Sequence, residues 1–203
     1  MWNCVNDILK PENVNRSSIK IEKDNQLIED PLEIAESFNT FFKEKIQKLA
    51  AGIEKNPNVD PFSKLNEKMK GINLKFNLKT VSEKYVLKIL KSLKPKKSYG
   101  LDGISSEVLK LGAECFVVPL TYIINSSIVQ GKYPTKWKEA KVIPLHKKGS
   151  KKSLVNYRPV SLLCVAGMIL EKVVAHQIES FFEDNKLFGS FQFGFRHKKK
   201  HNI

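Results

Sequence analysis

No stretch of this sequence is apolar for long enough to cross a bilayer. Its longest uninterrupted apolar run, Leu162 to Leu170, is short against the roughly 20 residues a spanning helix needs. The N-terminus lacks the apolar core of a secretory signal, so no membrane association and an intracellular setting are expected, with nucleus and cytoplasm not separated. Cysteine is scarce. Cys4, Cys115 and Cys164 are odd in number, widely spaced and without nearby His partners, which excludes a disulfide frame and a zinc site by pattern. Acidic residues are few: 21 Asp and Glu face 35 Lys and Arg, a formal charge of +14. That excess favours polyanions, chiefly nucleic acid. The aspartates are Asp7, Asp24, Asp30, Asp60, Asp102 and Asp184, and no two are adjacent. Internal repeats and low-complexity segments are absent as well.

What is present reads as an α+β chain, mostly helical, of a length that buries a real core. Ser18–Ile21 and Gln26–Ile28 form a candidate hairpin across Asp24-Asn25. Asp30-Pro31-Leu32-Glu33 is a helix start, followed at helical spacing by Ile34, Phe38, Phe41, Phe42, Ile46 and Leu49, with a stop near Gly52. Residues 56 to 75 read as linker. Thr80-Val81-Ser82-Glu83 is a capping box opening a helix that turns Val86, Ile89, Leu90 and Leu93 inward. Ser105 begins a short helix that Gly112 breaks or bends. Phe116–Val129 is a second helix, with Leu120, Ile123, Ile124 and Ile128 inward and Gly131 as its stop. Trp137 is read as a core anchor fixing the hairpin base, with a base-stacking platform as the alternative. Val165–Asn185 reads as a long amphipathic helix carrying Met168, Ile169, Val173, His176, Ile178 and Phe181 or Phe182, with His176 read as a surface histidine.

Between those last two helices lies the most informative segment, Trp137 to Leu163. Ala140–Leu145 is a strand with Pro144 marking an edge, and Val155–Val160 returns as a second extended segment. The connecting loop carries Lys147, Lys148, Lys151 and Lys152. Such crowding costs self-repulsion unless an anion sits there. The alternative is a solvated hairpin whose lysines guard an exposed edge against aggregation. Further upstream, Lys94–Gly103 is a basic loop whose glycines allow backbone N–H groups to approach a phosphate, or is a plain interhelical connection.

Four ordered motifs resemble one family: KSYGLDGISSEVLK, GKYPTKWKEAKVIPL, PLHKKGS with NYRPVSLL, and QFGFR at Gln192–Arg196. The sequence is similar over these to reverse transcriptases of non-LTR (LINE-type) retrotransposons. EDPLEIAESFNTFF resembles the region leading into the polymerase. The resemblance implies a pre-polymerase segment over residues 1–60, a linker to about 78, and a partial reverse transcriptase domain over 79–203. That domain would hold the N-terminal extension and a fingers-type β-hairpin, without palm or thumb. In the family the hairpin folds over the incoming nucleotide, so Lys147 (or its neighbour Lys148) and Arg158 are the implied nucleotide-binding residues. Lys97, Ser98, Gly100, Lys151, Lys152, Gln192 and Arg196 are the implied contacts to an RNA or DNA template-primer.

Polymerisation is phosphoryl transfer between metal ions held by carboxylates. In the family those come from an Asp beyond the QFGFR motif and from an Asp-Asp pair further on, and no residue here has that context. No catalytic or metal-binding residue is therefore expected in these 203 residues, and Mg²⁺ is expected only for a complete polymerase. Two functions stay open. One is a truncated polymerase fragment, inactive alone, that needs the missing palm and thumb. The other is a non-catalytic basic RNA-binding module derived from such a polymerase.

Overall fold

The computed structural model describes residues 19–23, 26–53, 60, 62–71, 73–189, 192, 194 and 196. The expected α+β composition is found: helices accompany two small two-stranded antiparallel sheets. The described residues fall into two compact units. One contains residues from 19 to 60 together with Ile143–Val160, and the other Phe62–Val142 with the described residues from Ser161 onward. The hairpin tip thus groups with the N-terminal segment, whereas the sequence order suggests grouping it with residues 79–203.

In the first unit, β1 (Ile21–Lys23) pairs with β2 (Gln26–Ile28) in the register Ile21↔Ile28. This is the expected hairpin; Ser18 and the turn Asp24-Asn25 lie outside the described residues. α1 (Pro31–Ala51) starts where its sequence says, with the Asp30 carboxylate accepting from Glu33 N–H at 2.8 Å and Pro31 in the first turn. Ile34, Phe38 and Phe42 are buried against Ile21, Ile28 and Tyr157. The Phe38 and Tyr157 rings meet edge-on with centroids 4.9 Å apart, a geometry that adds about 0.5–1.5 kcal/mol beyond area burial. The expected inner face is too long, however. Ile46 and Leu49 are about two-thirds exposed, because this core ends near Phe42.

The second unit is helical. The segment read as linker holds a short helix, α2 (Ser63–Met69), which lacks the apolar periodicity that would betray it. α3 (Glu83–Ser92) is capped by Ser82, whose hydroxyl accepts from Tyr85 N–H, so Thr80 of the expected capping box stands too early to cap it. α4 (Ser106–Leu111) is capped by Ser105 and closed by Gly112, as expected. α5 (Ala113–Gln130) ends at Gly131 with φ +62°, a conformation that glycine adopts without the Cβ penalty. α6 (Val165–Asp184) matches its expected span.

The core of this unit joins Val86, Ile89 and Leu90 of α3, Val117, Leu120 and Ile124 of α5, and Val165, Ile169, Leu170 and Val173 of α6. The inner face of α6 differs from the expected one: Met168 and Ile178 point outward, and Leu170 takes the inward position. Ile123 of α5 is likewise partly exposed. Trp137 is a core anchor, as expected. It packs on this cluster beside Gly167, where a Cβ would stand 2.8 Å from Tyr133 Oη and 3.2 Å from Trp137 Cβ.

Candidate nucleic-acid interface

The hairpin consists of β3 (Ala140–His146) and β4 (Tyr157–Leu163), linked through a short 3₁₀ turn at Leu154–Asn156. Val155 and Asn156 therefore belong to a turn and not to the returning strand, which runs three residues further, to Leu163. Alternation along β4 sets the side chains: Tyr157 is buried in the core of the first unit, and Arg158, its neighbour, is exposed.

The tip is tied by its own hydrogen bonds. Lys147 N–H donates to Asn156 O at 2.7 Å, and Asn156 Nδ2 donates to Ser150 O at 3.0 Å. Tyr157 Oη donates to Lys151 O at 2.8 Å, and Glu22 N–H donates to Lys152 O at 2.8 Å. His146 Nε2 lies 3.0 Å from Gly149 O. Gly149 is at φ +79°, a backbone angle that favours glycine, and a Cβ there would lie 2.8 Å from Asn156 Nδ2, which would have to move.

The result is a shaped loop, with several of its backbone polar groups bonded within the first unit and its cations exposed. Lys147, Lys148, Lys151, Lys152 and Arg158 are all exposed, and none has a carboxylate partner among the described residues. Five cations held on one ordered hairpin create a field that attracts phosphate.

The second group of expected contacts lies in the other unit, on the loop Lys94–Gly103. The buried Ser106 hydroxyl pins it, donating to Lys94 O at 2.8 Å and accepting from Lys96 N–H at 3.0 Å. A bridge joins Tyr99 to Ser105. Lys97 and Ser98 are exposed, but Gly100 is buried. A Cβ at Gly100 would lie 2.8 Å from Leu163 C and Cys164 N, so close backbone packing accounts for this glycine. Asp102 accepts from Ile104 N–H and from Cys164 Sγ, at 3.2 and 2.7 Å, and so fastens the loop. Burial, with that carboxylate beside it, pushes the Cys164 thiol pKa up.

Gln192 and Arg196 follow α6. Arg196 forms a fork with Glu183, Nε to Oε1 at 2.8 Å and Nη2 to Oε2 at 2.6 Å. It also donates to Gln192 O and lies 4.6 Å from the Phe188 ring centroid. The Glu183 hydrogen bonds raise its pKa further. Paired in this way, the guanidinium holds the chain onto the end of α6. Glu183 gives no sequence sign of this role, since the pair is made by folding back. Residues 193 and 195 of the motif, and the HKKKH run after it, lie outside the described residues.

Among the described residues, no three His, Cys, Asp or Glu side chains gather as metal ligands would, and no helix is long and apolar enough to cross a membrane. Of the aspartates, Asp30 caps α1, Asp102 fastens a loop and Asp184 ends α6.

No family model matches the sequence. Comparison with curated proteins does find relatives. The chain is 28% identical over 126 residues to the probable RNA-directed DNA polymerase from transposon BS of Drosophila melanogaster, covering 62% of this chain and 14% of that protein. It is 32% identical over 120 residues to the RNA-directed DNA polymerase from mobile element jockey of the same species, covering 59% of this chain and 13% of the relative. The jockey polymerase of Drosophila funebris is 33% identical over 112 residues, covering 55% of this chain and 12% of its own length. The matched part thus spans about one seventh or less of these relatives. Over more than half its length, the chain is homologous to reverse transcriptases of non-LTR mobile elements, as its motifs suggested.

Proposed function

We propose that the chain supplies the N-terminal extension and fingers of an RNA-directed DNA polymerase of a non-LTR retrotransposon. In this reading it binds template and incoming nucleotide and does not polymerise by itself. The observation that carries it is the ordered β3–β4 hairpin, whose Lys147, Lys148, Lys151, Lys152 and Arg158 are exposed and free of carboxylate partners among the described residues.

Arg158 sits on a strand anchored by Tyr157, and its planar fork can take two phosphate oxygens. Lys147 or Lys148 adds a point charge to the same triphosphate. Lys151 and Lys152, at the loop tip, hold the template backbone, and Lys97, Ser98 and Gln192 are its further contacts. Gly100 and Arg196 act as positioning residues, the first by close packing and the second through Glu183. In this reading Mg²⁺ serves only a complete polymerase.

The test uses an active polymerase of the family in which residues 1–196 replace the matching part. Losing a charge-assisted contact costs about 1.5–3 kcal/mol, or roughly ten- to a hundredfold in rate. Arg158→Ala should lower kcat/KM for the nucleotide by that factor and leave primer–template affinity nearly unchanged; Arg158→Lys should recover only part. Parallel loss of thermal stability, template binding and nucleotide use would assign Arg158 to structure. The unfused chain should incorporate no labelled nucleotide above a no-protein control.

A further inference from the structure

The second unit carries a groove that the phosphate-binding hairpin tip does not use. Its volume is about 580 Å³, and its floor is aliphatic: Leu93, Leu162, Leu163, Val165, Met168 and Ile169. Lys94, Lys96 and Lys172 stand on its rim, exposed and without an ion pair among the described residues. The one carboxylate among its lining residues, Glu171, accepts a hydrogen bond from Tyr133 Oη at 3.1 Å. Met168 is 51% exposed although it lies on a helix whose Ile169, Leu170 and Val173 build the core.

From this juxtaposition we propose that the groove is the docking site of an acidic amphipathic helix from a partner protein. The partner's apolar side chains would enter between α6 and the Leu162–Leu163 strand end, and its carboxylates would meet the three rim lysines. The lining separates this occupant from single-stranded nucleic acid. Bases need flat aromatic faces on which to stack. The only aromatic ring among the lining residues is Tyr99, and the Lys141 ammonium lies 5.5 Å from its centroid. Leucine and a flexible methionine instead suit the branched side chains of a helix face. Charge complementarity fixes the sign of the partner's polar face.

The groove shares Ser98 with the template contacts proposed above, so the test, made on the full chain, separates the two occupants. The probe is a fluorescein-labelled synthetic peptide of about 16 residues, long enough to hold a helix, with Leu on one face and Glu on the other. A scrambled peptide of the same composition is the control. Anisotropy should show the amphipathic peptide binding at least about tenfold more tightly than the scrambled one, as a buried apolar anchor requires. Met168→Glu, at an exposed position that leaves the core intact, should weaken the amphipathic peptide by about tenfold or more. Replacing Lys94, Lys96 and Lys172 together by Ala should weaken it and flatten its salt dependence. Equal binding of the two peptides, or indifference to Met168→Glu in a chain of unchanged melting temperature, would overturn the proposal. So would displacement of the peptide by oligouridylate whose own binding is lost in Met168→Glu, since the groove would then be a nucleic-acid seat.

Discussion

Tyr157 and Arg158 show how neighbouring residues divide two tasks. Tyr157 is 5% exposed, between Phe38 and His146, and its hydroxyl holds the loop at Lys151 O. Arg158 faces solvent. The period of a strand foretells this alternation, but which face is buried depends on a core assembled from residues far earlier in the chain. Tyr133 offers a test at the same scale. Burial first, then the charge and hydrogen bond of Glu171, push its pKa from 10.0 up to about 12. Between those values the unfolded chain releases the proton while the folded chain keeps it, so this contribution to stability is complete below pH 10 and is lost as pH rises towards 12. Tyr85, Tyr157 and Cys164 are shifted in the same direction. The Tyr133 share is therefore read as the difference from Tyr133→Phe in denaturant unfolding. That difference should shrink between about pH 9 and about pH 11.5, and a constant difference would refute the assignment.

At the scale of elements, what is legible in the sequence is local. Asp30, Ser105 and Gly131 mark helix ends because capping is satisfied within a few residues. Ser82, and not Thr80, caps α3 because the chain before it is extended and its backbone is used elsewhere: Val81 N–H and O both bond the Asn125 amide. No local pattern carries that information. The close packing at Gly100 is not legible either, since the backbone of Leu163 and Cys164, distant in sequence, occupies the space beside it. Gly100→Ala should lower unfolding stability by about 1–3 kcal/mol, the usual cost of overpacking where the obstacle is backbone. Unfolding in urea measures it, and an unchanged midpoint would mean that the loop yields easily.

At the scale of the molecule, the charge of +14 is plain from composition, as is the expectation of a polyanionic partner. The grouping of Ile143–Val160 with the N-terminal residues is not, because it rests on one buried tyrosine and on loop hydrogen bonds that have no sequence period. Within this grouping the hairpin keeps Lys147, Lys148, Lys151, Lys152 and Arg158 exposed, the surface proposed above to bind phosphate. RNA affinity measured by anisotropy against salt concentration tests this most directly, since each neutralised phosphate releases counterions. The wild-type affinity should fall steeply with salt, and Lys151→Ala with Lys152→Ala should reduce the slope by about one to two units. Removing two exposed charges from α3, by Lys84→Ala with Lys88→Ala, should leave it nearly unchanged. A slope that both pairs lower equally, or an affinity indifferent to salt, would contradict the claim that the hairpin is the phosphate-binding surface.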